Sequence, residues 1–214
     1  MAGIAGLFNI DVPHDTLRDR EAEAVESMIA TLGHRGTQKT HIIRGRNFVI
    51  GCCQPLGVSR HSQAWAGGDK EGAVFDGELY NEEHRRYMRD DEMFWNMLFH
   101  TYRNHCFSHI DGPFAAAVAN DEELLLARDH MGCRPLFYGI DAGRVVFASE
   151  AKALISLVGK AIELSPGMVY SSHHGTQPFE PFHPVVPAVK NPGQAKKIIR
   201  ELLTDAVSRQ LKEK

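Results

Sequence analysis

Cysteine is scarce: the 214 residues hold four, Cys52, Cys53, Cys106 and Cys133, and no two of them stand in C-x-x-C spacing. Such scatter suits buried reduced thiols and argues against a disulfide framework. Long apolar runs are missing as well. No segment approaches the ~20 consecutive apolar residues of a membrane-spanning helix. The N-terminus also lacks a basic region followed by an apolar core, so a cytoplasmic chain is expected. Neither sign of charge dominates: 24 basic and 27 acidic side chains give a net charge of −3, with no Lys/Arg cluster. That excludes the electrostatic footprint of a nucleic-acid or membrane-surface binder. The phosphate loop G-x-x-x-x-G-K-[ST] is absent too, no cofactor is expected, and no internal repeat or low-complexity segment occurs.

What is present suits one globular domain, since 43% hydrophobic and 24% charged residues can bury a sizeable core. Apolar spacing predicts a helix over 18–32, with Val25, Met28, Ile29 and Leu32 as its inner stripe and Gly33 as its stop. A second helix is predicted over 91–102, with Asp90 as its cap and Met93, Phe94, Met97, Leu98 and Phe99 facing inward, and a short one over 150–157. Strands are predicted over 4–9, 41–44, 48–53, 73–79, 114–119, 123–128, 136–140, 144–148 and 168–172, with a loop over 60–68. Helices segregated between two sets of strands argue an α+β layered fold and against a doubly wound parallel sheet.

Residues 175–193 carry Pro178, Pro181, Pro184, Pro187 and Pro192, which no regular helix accommodates, so a Pro-rich linker is expected after a domain of residues 1–174. Residues 194–214 then read as an amphipathic helix whose face of Ile198, Ile199, Leu202, Leu203, Val207 and Leu211 needs a partner. Either it folds back on the domain or it begins a further one.

Four segments in order carry a family resemblance: Met1-Ala2-Gly3-Ile4-Ala5-Gly6-Leu7-Phe8, His34-Arg35-Gly36, Phe75-Asp76-Gly77-Glu78-Leu79-Tyr80-Asn81, and Arg128-Asp129-His130-Met131-Gly132-Cys133-Arg134-Pro135-Leu136-Phe137-Tyr138. A fifth, Phe147-Ala148-Ser149-Glu150-Ala151-Lys152-Ala153-Leu154, follows them. Over roughly residues 1–172 the chain resembles the class II glutamine amidotransferase domain of the asparagine synthetase B family. The resemblance implies the N-terminal-nucleophile hydrolase fold, a four-layer αββα sandwich of two antiparallel sheets.

In that family a processed N-terminal cysteine attacks glutamine, with its own α-amine as base. The resemblance puts Ala2 at the nucleophile's position and Asp76 and Gly77 at the oxyanion hole, where the family keeps an Asn side chain and a Gly backbone N–H. It assigns substrate binding to Val58, Glu78 and Asp90. Ala2 has nothing to attack with, and its amine is free only if Met1 is removed. An ionised Asp76 can only accept hydrogen bonds. Pro55-Leu56-Gly57-Val58 stands where the family has its substrate-carboxylate arginine, although Arg60 lies close by, and Met88-Arg89 replaces a small Gly-Ser before Asp90.

Several coordinated departures favour natural loss of glutaminase activity over an engineered Cys-to-Ala change in an active amidotransferase, which stays the alternative. β-Lactam synthetases and lasso-peptide cyclases, which resemble asparagine synthetase, have lost the same cysteine. The implied role is a structural or docking module for an ATP-dependent amide-forming domain or subunit. The chain itself lacks that family's Ser-Gly-Gly-x-Asp-Ser loop. Glutamine or a related amino acid is the small-molecule partner if the pocket still binds, which would suit a sensor working through Asp90 and Glu78. A homodimer is the further assembly to consider. His100, His105, His109 and Cys106 lack metal-site spacing and read as a solvated helix end. Cys52 and Cys53 read as core residues without a base.

Overall fold

Along β1 (Gly3–Asn9), Ile4 and Phe8 belong to one buried cluster while Ala5 and Leu7 belong to another. That two-residue alternation is the signature of a strand buried on both faces. β1 lies between β3 (Phe48–Gln54) and β9 (Arg144–Ala148) in an antiparallel sheet completed by β2 (Lys39–Arg44), β8 (Phe137–Asp141) and β10 (Ile162–Glu163). Its order is β10-β8-β9-β1-β3-β2. The second sheet has the order β12-β11-β7-β6-β5-β4, built from β4 (Ala64–Ala66), β5 (Glu71–Gly77), β6 (Phe114–Asn120), β7 (Leu124–Arg128), β11 (Met168–Ser171) and β12 (Gly175–Pro178).

The computed structural model describes residues 2–10, 19–36, 39–54, 64–68, 70–81, 98, 101–179 and 191–211. They fall into two compact units, Met1–Phe179 and Glu180–Lys214. Within the first, three apolar clusters define the layers. Ile4, Phe8, Ile50, Phe147, Val74 and Leu126 fill the space between the sheets. On the outside of the first sheet, α1 (Asp19–Thr31) and α2 (Ala151–Leu154) bury Val25, Met28, Ile29 and Leu154 against Leu7, Val49 and Val146. On the outside of the second sheet, Phe75, Phe114 and Val118 meet Leu98, Cys106 and Phe107, the last two from the 3₁₀ helix Arg103–His109. Small inward residues on β6, Ala115, Ala117 and Ala119, leave room for the facing sheet's larger side chains.

Two antiparallel sheets stacked with helices outside them are the expected architecture, and most predicted elements match the observed bounds to within two residues. Three short strands were not foreseen. β4 occupies part of the predicted loop and is too short for a period to register, although Trp65 is buried there. β10 spans two residues. β12 corrects the domain boundary: four residues expected in the linker pair with β11 through a turn at Ser172–His174, and the unit runs on to Phe179, whose ring packs against His130 at 4.6 Å. β12 is an edge strand, and Pro178 at its last position sacrifices little pairing. The predicted 91–102 helix lies outside the described residues except for Leu98, which is buried, and the helical Thr101 and Tyr102. Of the cysteines, Cys52, Cys53 and Cys106 are buried, whereas Cys133 is exposed.

In the second unit α3 (Pro192–Leu211) begins two residues before the predicted start at 194. Pro192 suits the first helical position, and Asn191 Oδ1 accepts the N–H groups of Gly193 at 2.8 Å and Gln194 at 3.4 Å as an N-cap. Of its stripe residues, Ile199, Leu202, Leu203, Val207 and Leu211 are exposed and Ile198 is half-buried.

Gly6 faces the inter-sheet core, where a Cβ would lie 2.6 Å from the Phe147 ring and 2.8 Å from Ile50. Gly6→Ala is therefore expected to cost about 1–3 kcal/mol by overpacking. The check is urea unfolding, which should show a lower midpoint at an unchanged m-value.

Candidate functional site

The period that puts Ile4 inward on β1 also puts Ala2 on that face, and the period that turns Val74 inward on β5 turns Asp76 inward. The start of one strand and the end of the other meet across the sandwich. The backbone N–H of Ala2 donates to Asp76 Oδ1 at 3.0 Å, and Asp76 is 1% exposed.

Arg35 comes from the 3₁₀ turn Gly33–Arg35 that ends α1, where the Arg35 and Gly36 N–H groups donate to Leu32 and Gly33 carbonyls. Its Nη1 donates to Asp76 Oδ2 and to the Ala2 carbonyl, both at 3.2 Å, while its Nε donates to Glu150 Oε1 at 2.5 Å. Glu150 precedes α2 and also pairs with His34 at 2.7 Å and Lys152 at 3.1 Å. Arg134 completes the cluster: its Nε lies 3.8 Å from Asp76 Oδ1, and its Nη2 donates to Glu78 Oε1 at 3.4 Å. Among the described residues Arg134 Nε has no hydrogen-bond acceptor.

The Arg128-Asp129 pair builds the turn that presents Arg134. Buried Asp129 accepts backbone N–H groups of Phe114, Met131, Cys133 and Arg134. Arg128 donates to the carbonyls of Gly132, Arg134 and Leu164. Gly132 takes φ of +63°, and a Cβ there would sit 2.7 Å from Pro166 Cγ, so glycine alone fits the bend.

Gly77 packs so closely that a Cβ would lie 2.3 Å from the Pro113 carbonyl oxygen. Glu78 is half exposed; its N–H donates to that carbonyl at 3.1 Å, and its Oε2 accepts from Tyr80 Oη at 2.6 Å. Three predicted site residues, Ala2, Asp76 and Gly77, thus lie together with Glu78 at their edge. Val58 and Asp90 lie outside the described residues, as do Arg60, Met88 and Arg89.

Burial raises the Asp76 carboxyl above the ordinary range, and Arg134, Arg35 and the Ala2 N–H oppose that rise. At Glu150 desolvation also pushes upward, but hydrogen bonds from Arg35, His34 and Lys152 prevail and hold it down to about 2. Cys53 lies under α1 with its thiol directed to the Leu32 carbonyl at 3.6 Å, and burial pushes its pKa up, opposite to what a nucleophile needs. Burial likewise pushes Cys106 up to about 12, and Tyr102 stacks on His109 with ring centroids 3.7 Å apart. Among the described residues no three His, Cys, Asp or Glu side chains converge as metal ligands. No described helix is long and apolar enough to cross a membrane.

Arg35, Arg134 and Glu150 were not predicted as site residues, although each sits inside a segment that carried the resemblance. Their charge, standing among apolar and small neighbours, was the available signal.

Residues 1–194 match the glutamine amidotransferase domain family, and the chain belongs to that family. It is asparagine synthetase-like. It is 30% identical over 162 residues to the glutamine-hydrolyzing asparagine synthetase 3 of Bacillus subtilis (strain 168), covering 64% of this chain and 25% of that protein. It is 34% identical over 90 residues to a carboxyethyl-arginine beta-lactam-synthase of Streptomyces clavuligerus, covering 38% of this chain and 17% of that one. The chain thus spans about a quarter of the asparagine synthetase's length. Among solved structures, Bacillus subtilis glutamine phosphoribosylpyrophosphate amidotransferase superposes with a TM-score of 0.62 at 17% identity, over 83% of this chain and 49% of that one. That likeness shows the fold, the N-terminal-nucleophile hydrolase sandwich.

Glu150 supplies a pH test. Its folded pKa of about 2 lies below the ordinary 4.5, so its stabilising contribution is complete above 4.5 and is lost as pH falls toward 2. Thermal melts of Glu150→Gln should lack that part of the parent's decline between pH 4.5 and 2. An equally steep decline in the variant would contradict the assignment.

Proposed function

We propose that this asparagine synthetase-like amidotransferase domain has lost glutamine hydrolysis and serves as a structural module docked to an ATP-dependent amide-forming domain or subunit. One observation carries the loss: the carboxylate of Asp76 stands beside Ala2 and takes up that residue's N–H, where the family's chemistry needs hydrogen-bond donors. Acyl transfer from glutamine develops negative charge on the carbonyl oxygen, which an oxyanion hole must stabilise. Removing one donor typically costs about 10²–10³ in kcat. Replacing it with an acceptor adds repulsion, and Ala2 supplies no nucleophile in any case.

The docking half rests on different features. The asparagine synthetase relative is about four times as long as the matched portion, and α3 carries an apolar stripe of a kind that ordinarily seeks cover. A domain that retains its core and its α3 stripe while losing its nucleophile is suited to support a neighbour. Val58 and Asp90 enter this reading as former substrate contacts, and Gly77 as the retained backbone half of the oxyanion hole.

The test is Ala2→Cys in chain freed of Met1, assayed for glutamate and ammonia release from glutamine and for glutamine binding by calorimetry. No hydrolysis above the uncatalysed rate and no binding heat are expected. Hydrolysis would overturn the loss and favour an engineered Cys-to-Ala change in an active enzyme. Binding without turnover would favour an amino-acid sensor.

A further inference from the structure

We propose that Ala2, Arg35 and Arg134 form a carboxylate-binding cradle whose ligand is the chain's own Asp76, so that the site is filled from within. Two hydrogen-bond donors and a second guanidinium, from separate segments, converge on one buried carboxylate. The Ala2 N–H reaches Oδ1 at 3.0 Å, Arg35 Nη1 reaches Oδ2 at 3.2 Å, and Arg134 Nε lies 3.8 Å from Oδ1. A backbone N–H and two guanidinium groups around a planar anion are the ordinary means of recognising a free carboxylate.

The donors do not depend on Asp76 for their placement. Arg35 is also held by Glu150 at 2.5 Å and by the Ala2 carbonyl, and its side chain is 8% exposed. Arg134 is fixed at its backbone by Arg128 and Asp129 and at its tip by Glu78. Ala2 leads directly into β1, which is hydrogen-bonded on both sides. On β5, Asp76 pairs with Ala115, and Gly77 is wedged against Pro113, so truncating the Asp76 side chain leaves its strand in place. What remains is a cationic cavity sized for a one-carbon carboxylate.

The inference stands apart from the question of glutaminase loss, because it concerns what the cluster binds and not what it once catalysed. In the native chain the internal ligand denies the cradle to outside carboxylates and ties β1 to β5.

The test is chemical rescue of the 214-residue chain with formate, the carboxylate that Asp76→Ala removes. Breaking a buried charge cluster of this kind should lower the Tm by roughly 6–20 °C. A three-atom ligand binds no better than about millimolar. About 100 mM formate should therefore return roughly 3–10 °C, saturably, while chloride at equal ionic strength returns none of that increment. The parent chain should show no formate-specific shift, and neither should Asp76→Asn, which leaves no space. Arg35→Met added to Asp76→Ala should abolish the rescue. Should Asp76→Ala fail to fold unaided, the same anions are compared by refolding yield, read by circular dichroism. A formate effect no larger than that of chloride, in melting or in refolding, overturns the proposal, as does an Asp76→Ala Tm equal to the parent's.

Discussion

A buried carboxylate has to be neutralised, and the demands of Asp76 organise one end of this molecule. Its two oxygens draw together the first residue before β1, the turn that closes α1 and the bend after β7, parts of the chain that share no local sequence relationship. Arg35 extends the same network to Glu150 at the start of α2. Each partner is placed by its own backbone scaffold, so the ion pairs form between elements already built. The apolar clusters supply the bulk of the stability here, because buried ion pairs seldom repay their desolvation.

Both faces of the first sheet are closely packed at the glycines of β1. Between the sheets, Gly6 and the alanines of β6 set a close approach that admits little extra volume. Beneath α1, a Cβ on Gly3 would lie 3.0 Å from Cys53 Sγ and 3.1 Å from Leu32 Cβ, so the residue that leads into the Arg35 turn sits close against the start of β1. The packing around Gly3 and the charge pairing at Ala2 thus act on adjacent residues toward the same geometry.

Legibility in the sequence followed the range of the interaction. Period-two and period-3.6 patterns expose a strand such as β1 or a helix such as α1, because every residue in the pattern is a neighbour of the next. β10 and β4 have too few residues to state a period, and β12 hides among prolines that signal extension without naming a partner. Asp76 was readable as a departure because the flanking Phe75 and Gly77 fix its place in the resemblance. Its partners stand 41 and 74 residues away at Arg35 and Ala2, and the Arg35–Glu150 bond spans 115. Such pairs are decided by which strand ends meet across two sheets, and no local pattern encodes that. Motif reading located Arg35, Arg134 and Glu150 without assigning them a task.

The pairing of Ala2 with Asp76 also shows how a buried charge is satisfied where two strands end. The Asp76 carboxylate gives the Ala2 N–H and the Arg35 guanidinium an acceptor within the chain. Burial pushes the carboxyl upward, and two guanidinium groups and a backbone N–H reduce that rise without cancelling it. Ala2 and Asp76 therefore form one physical unit, in which the N–H of the first and the carboxylate of the second satisfy each other where two strand ends meet.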